Sequence, residues 1–232
     1  MKPFFCRHHR KCRSLPALIV LSTASFLSTT SFAQTAGQWS YKVGETLVMP
    51  KVGSGDLSGP GPTGIKLDVG RAYAPIVSGS YMLTDHVAAE LILSAPFRHD
   101  ITGKGTYDGV GKIASMQMSM PSLFLQYRFQ EPTATLRPYL GAGVTYAHFS
   151  GATTTTTLDA LLGPTSMSVD DRLGLAAQIG AIYRLNDRWF IDANVTKTFL
   201  KTRFIFTSGC TERTLEARLD PVSINVSVGY QF

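Results

Sequence analysis

The residues best placed for chemistry in this chain are a histidine and a serine two positions apart, in His148-Phe149-Ser150. On a β-strand, positions i and i+2 share a face, so imidazole and hydroxyl stand side by side. That is the spacing at which a base pairs with a nucleophile in a membrane-embedded lipid hydrolase. Such chemistry needs a third group to orient the imidazole. No carboxylate lies at an obvious spacing; Asp159 sits in the Thr-rich stretch that follows, with no direction set by the sequence. The competing reading is a polar rim where a strand end meets a membrane interface, and on that reading no catalytic residue is assigned.

Other candidates are weaker. His86 falls in a turn and His99 at the base of a loop, and neither has a partner at metal-ligand spacing. Two of the three cysteines, Cys6 and Cys12, belong to the N-terminal segment, which leaves Cys210 alone, without a disulfide partner or a thiolate cage. Gly141-Ala142-Gly143 is followed by neither a helix pattern nor a lysine, so it is no phosphate loop and reads as close packing inside a small barrel. Glu90 with Lys42 or Arg128 suggests ion pairs within a lumen rather than acid–base machinery. No metal and no cofactor are expected.

The elements that must carry these residues show a period of two. In the last ten residues, Ile224, Val226, Val228, Tyr230 and Phe232 alternate with Ser223, Asn225, Ser227, Gly229 and Gln231. Strict alternation marks a strand with two unlike faces. In a membrane barrel the apolar face meets lipid and the polar face the lumen. The aromatic at the end of this strand, Phe232, resembles the signal read by the outer-membrane assembly machinery, which is therefore an expected partner. At the other end, Lys2, Arg7, Arg10, Lys11 and Arg13 precede an apolar run of about 13 residues, short for a membrane-spanning helix, and then Ser31-Phe32-Ala33. Residues 1–33 read as an export signal and 34–232 as one domain.

Charge changes meaning once that segment is set aside. It holds five of the 22 Lys and Arg and none of the 16 Asp and Glu, leaving 17 against 16. A nearly neutral chain has little electrostatic motive to bind nucleic acid, so no nucleic-acid partner is expected.

Eight strands follow from the alternation, at about 39–48, 74–83, 87–95, 122–129, from 137, 173–185, 189–206 and 223–232. Short connections at Thr84-Asp85-His86 and Asn186-Asp187-Arg188 alternate with longer ones near 50–70, 96–119, 151–171 and around Cys210. The expected fold is all-β: an eight-stranded antiparallel transmembrane β-barrel with short periplasmic turns and long extracellular loops. A soluble eight-stranded barrel would fill its interior with apolar side chains. Here the inward set includes Lys42, Glu90, Arg128, Arg184 and Asp192, which a dry core tolerates poorly.

Several runs resemble the outer membrane protein W (OmpW)/AlkL family. They are Tyr81-Met82-Leu83-Thr84-Asp85, Ala89-Glu90-Leu91, Ala95-Pro96-Phe97-Arg98-His99, Arg137-Pro138-Tyr139-Leu140-Gly141-Ala142-Gly143, Arg218-Leu219-Asp220-Pro221 and Gly229-Tyr230-Gln231-Phe232. The resemblance implies an outer-membrane barrel whose narrow, largely apolar lumen passes small hydrophobic molecules, with outer-membrane lipids around it. It also implies an apolar pair closing the lumen floor. Ile92 matches one member, and the other falls near Thr196, which is polar here. Ile92, Thr196, Glu90 and Lys42 are the expected channel-lining residues. A lipid-modifying enzyme, and a receptor or structural barrel without transport, are the alternatives.

Overall fold

Alternation governs the fold: along each long strand one set of side chains is buried and the next exposed. Leu173, Leu175 and Val43 are 73%, 68% and 64% exposed, whereas Lys42, Glu90 and Asp192 between or beside such positions are almost fully enclosed. The barrel is thus apolar outside and polar inside over half its height. The computed structural model describes residues 34–54, 64–106, 108–209 and 211–232. The expected export signal and Cys210 lie outside the described residues.

In chain order the elements are β1 (Trp39–Met49), β2 (Gly53–Ser54), β3 (Ile65–Val69), β4 (Ala72–Met82), β5 (Val87–Ser94), β6 (Phe97–Gly105), β7 (Lys112–Ser119), β8 (Ser122–Arg128) and β9 (Leu136–Thr154). There follow α1 (Thr156–Leu162), β10 (Thr165–Val169), β11 (Arg172–Arg184), β12 (Trp189–Phe199), β13 (Lys201–Ser208), β14 (Thr211–Arg218) and β15 (Val222–Gln231). Eight of these close an antiparallel barrel in the order β1-β4-β5-β8-β9-β11-β12-β15, with β15 returning to β1.

The short turns gather at one end and are built as expected. Thr84 Oγ1 accepts from the backbone N–H groups of His86 and Val87, and Asn186 Oδ1 from those of Arg188 and Trp189. A girdle of aromatics rings this end, where Tyr230 packs edge-on against Trp189 and Phe232.

The opposite end corrects the expectation of long loops. The connection after β5 is a hairpin of β6 and β7, which joins β9 and β3 in a sheet that continues the barrel wall. The Thr-rich stretch contains the end of β9, then α1 and β10, and β10 pairs with β13. The stretch near Cys210 is the β13–β14 hairpin, and β2 adds to it. Most of β13 lies within the expected seventh strand, 189–206; the other strands of this end fall in expected loops, where prolines interrupt the alternation at Pro96, Pro121 and Pro221, although it resumes beyond each.

Inside this extended end most side chains are apolar, with Phe97, Ile101, Met116, Met118, Phe204 and Leu215 all almost fully buried. Leu158 of α1 plugs into the same cluster. Small residues make the narrow bore possible. A Cβ at Gly180 would lie 2.6 Å from the Tyr139 ring, so glycine there is what lets the ring cross the lumen.

Candidate functional site

At the turn end, charged and polar side chains from β1, β5, β8, β9, β11 and β12 fill the lumen. Lys42 Nζ on β1 lies 2.6 Å from Glu90 Oε1 on β5 and 3.1 Å from Asp192 Oδ2 on β12. Asp192 also accepts hydrogen bonds from the Tyr139 hydroxyl (3.1 Å) and from Asn194 Nδ2 (2.9 Å). Gln126 Nε2 donates to Glu90 and, at 2.8 Å, to Gln178 Oε1. Arg128 donates at 3.2 Å to the Gln126 carbonyl and at 2.9 Å to that of Gln34. Two cations face two carboxylates, and amides fill the gaps between them. Pairing of this kind is what makes buried charge tolerable. The packed network forms a polar floor.

Above the floor the charges end, and apolar side chains share the lining with hydroxyls such as Thr46, Ser122 and Thr198. Ile92, Ile76, Phe124 and Ala176 form one buried cluster. Ile92, Phe124, Met120 and Thr196 border a small cavity of about 40 Å³, with Ser94 and Phe97 on its margin. Beyond it lies the Phe- and Met-rich interior of the extended end.

The wall beside this cavity is interrupted. The ladder between β5 and β8 runs up to the pair Ile92 and Ser122, and the next pair, Phe97 with Met118, belongs to β6 and β7. Between them stand Ala95-Pro96 on one side and Met120-Pro121 on the other. Proline has no N–H to give to a ladder. The N–H of Ala95 turns instead to the Pro75 carbonyl (3.1 Å), and that of Met120 to Ser94 Oγ at 3.4 Å.

The expected lining residues therefore divide. Ile92 and Thr196 both border the cavity, and the Thr196 hydroxyl donates to Asn194 Oδ1 at 3.3 Å. Glu90 and Lys42 lie below it, in the floor. Of the charges expected inside, Arg184 departs: it sits at the rim of the turn end and donates to the Thr133 carbonyl, where water solvates it. Ile76, Phe124 and the methionines were not anticipated. A signal for the last was present, since Met116, Met118 and Met120 occupy alternate positions.

The His148-Ser150 pair lies on the outer surface, away from the cavity. A carboxylate does orient the imidazole, and it is Asp171, not Asp159: His148 Nδ1 is 2.7 Å from Asp171 Oδ2. Asp159 instead accepts from the N–H of Thr165 within its own turn. Asp171 further accepts from the Tyr146 hydroxyl (2.9 Å) and the Phe149 N–H (2.8 Å). Partial desolvation works to raise its carboxyl, but these three donors outweigh it and hold the group below the usual carboxylate range. Ser150 makes no hydrogen bond to His148 among the described residues.

His99 was expected at a loop base and lies instead on β6, fully enclosed. Its Nδ1 is 2.7 Å from the Gly70 carbonyl, to which it donates, and burial pushes the imidazole below its ordinary pKa. Among the described residues no three His, Cys, Asp or Glu side chains converge as metal ligands.

The OmpW family model matches residues 35–232. The chain is 29% identical over 221 residues to outer membrane protein W of Vibrio cholerae, covering 95% of this chain and 99% of that one. It is 27% identical over 195 residues to the dibenzothiophene metabolism operon protein PahQ of Pseudomonas aeruginosa, covering 84% and 88%. The crystal structure of the outer membrane protein OprG from Pseudomonas aeruginosa superposes with a TM-score of 0.80 at 27% identity, over 87% of this chain and 98% of that one.

Proposed function

This chain belongs to the OmpW family of outer-membrane β-barrels, and on that premise we propose that it is a passive route for small hydrophobic molecules. A solute enters the apolar interior of the extended end from outside the cell and descends as far as Ile92 and Thr196. It then leaves sideways into the membrane through the interrupted ladder at Ala95-Pro96 and Met120-Pro121.

The observation that carries this reading is the vertical order of the lumen. A packed apolar interior stands over a small cavity beside the broken ladder, and the charged floor lies beneath. An apolar molecule gains nothing by entering a network of paired charges that it would have to pull apart. It gains by remaining among Phe124, Ile76 and the methionines and then passing into lipid. Methionine suits such a path because its unbranched thioether adapts to differently shaped neighbours. PahQ, named for a dibenzothiophene metabolism operon, supports a hydrophobic cargo by similarity.

The test is entry of a panel of small apolar solutes into cells with and without the protein. Ile92→Asp should lower uptake while the barrel still folds, because the new carboxylate would sit against Phe124 and Ile76. Equal uptake with and without the protein would overturn the reading.

A second reading, lipid hydrolysis at the outer surface, is favoured by the contact of His148 with Asp171. Under the channel reading, replacing His148 and Ser150 with Ala leaves uptake unchanged. Loss of an ester- or amide-cleaving activity on lipid in that variant would establish the second.

A further inference from the structure

We infer that His99 and the methionines facing it form a binding site for a soft monovalent cation, Cu(I), within the extended end of the barrel. The site is separate from the cavity bordered by Ile92, and the inference does not depend on the uptake reading.

The imidazole is the first observation. His99 has no exposed surface, and its Nδ1–H donates to the Gly70 carbonyl at 2.7 Å. With the proton on Nδ1, the lone pair is left on Nε2, the arrangement by which a carbonyl orients a metal-ligating histidine. Nε2 is buried and has no hydrogen-bond partner. A buried acceptor left unsatisfied is costly, a penalty that a phenylalanine at this position would avoid.

What faces the ring is the second. In the β6–β7 register His99 pairs directly with Met116, and Phe97 pairs with Met118. Met116 and Met118 are each 1% exposed and point inward with His99. Directly opposed side chains have Cβ atoms about 4.5–5.5 Å apart, within reach of a thioether, and the diagonal neighbour, about 7–8 Å away, is within reach of a long side chain. A flexible lining for apolar solutes accounts for methionines here, but it does not account for an imidazole with a bare nitrogen among them.

The donor set selects the ion. Thioether sulfur is soft, imidazole is compatible with it, and neither carries charge, so the set favours Cu(I). Ca²⁺ and Mg²⁺ need oxygen ligands, and the nearby carboxylates of Asp68 and Asp100 lie on the exposed face. A dication here would also lack the anionic ligands that offset its desolvation.

The test uses the refolded barrel with Cys210→Ser, because a free thiol binds these ions by itself. Ag(I), a redox-inert stand-in, and Cu(I) held reduced with ascorbate are each titrated against a chromophoric chelator. Stoichiometric binding is expected in this background, with loss in His99→Phe and in Met116→Leu. Met82→Leu, at the turn end, should bind as the background does. Absence of binding in the background overturns the inference, as does undiminished binding in folded His99→Phe or Met116→Leu. If those variants fail to fold, the nitrogen resonance of Nε2 in the background decides: it should shift on adding Ag(I), and an unmoved resonance overturns the site.

Discussion

Lys42 and Glu90 meet at 2.6 Å although their strands, β1 and β5, are not neighbours; β4 runs between them and presents only serines, Ser78 and Ser80, to the lumen at that height. The small side chains leave room for the lysine to pass over β4, reach Glu90, and touch Asp192 on β12 as well. One cation thus ties three separate parts of the barrel wall.

Removing that cation should be more costly than removing an exposed one. Lys42→Met leaves Glu90 and Asp192 enclosed without their common partner, and breaking a buried pair in this way costs about 3–5 kcal/mol. Adding Glu90→Gln should restore part of the loss, since one of the two orphaned charges is then gone. Urea unfolding of the refolded barrel checks both, and equal stability of Lys42→Met and the parent would contradict the floor described above.

The sideways exit predicts that pinning the broken ladder stops uptake. With Cys210→Ser as background, cysteines introduced by Ser94→Cys and Met120→Cys and joined by a short bis-methanethiosulfonate cross-linker should reduce hydrophobic uptake, and each cysteine alone should not. Unchanged uptake after verified bridging would direct the route elsewhere.

A side chain at Gly180 should destabilise the barrel. Its Cβ would lie 2.6 Å from both the Tyr139 ring and Asn194 Cβ, and neither has space to retreat within so narrow a bore. Gly180→Val should cost at least about 1–3 kcal/mol, the usual range for overpacking, and a thermal melt of the folded barrel measures it.

Acid should erase the contribution of Asp171. Its carboxyl is held below the usual range in the folded chain. The associated stability is therefore fully present above the unfolded pKa, about 3.9, and is lost as pH falls through the lower folded value. The difference in melting temperature between the parent and Asp171→Asn should shrink as pH falls below about 4. The effect is small because the pair is exposed. A difference that grows as pH falls below about 4 would contradict the three donors assigned to this carboxylate.

The sequence by itself determined the class of fold, its strand count and two of its tight turns. These are local properties: alternation is visible within ten residues, as from Ser223 to Phe232, and a turn such as Asn186-Asp187-Arg188 satisfies its own backbone. It also marked Ile92 and Thr196 as inward, because facing is a matter of parity along one strand. Only the tertiary structure decided which inward groups meet. Parity does not give the register between strands or the closure of β15 on β1, so it did not reveal that Lys42 reaches Asp192, that Asp171 rather than Asp159 holds His148, or that His99 faces Met116. Nor did it carry past the prolines. The strands of the extended end are stabilised by pairing with partners far away in the chain, and that pairing is invisible until the barrel has closed.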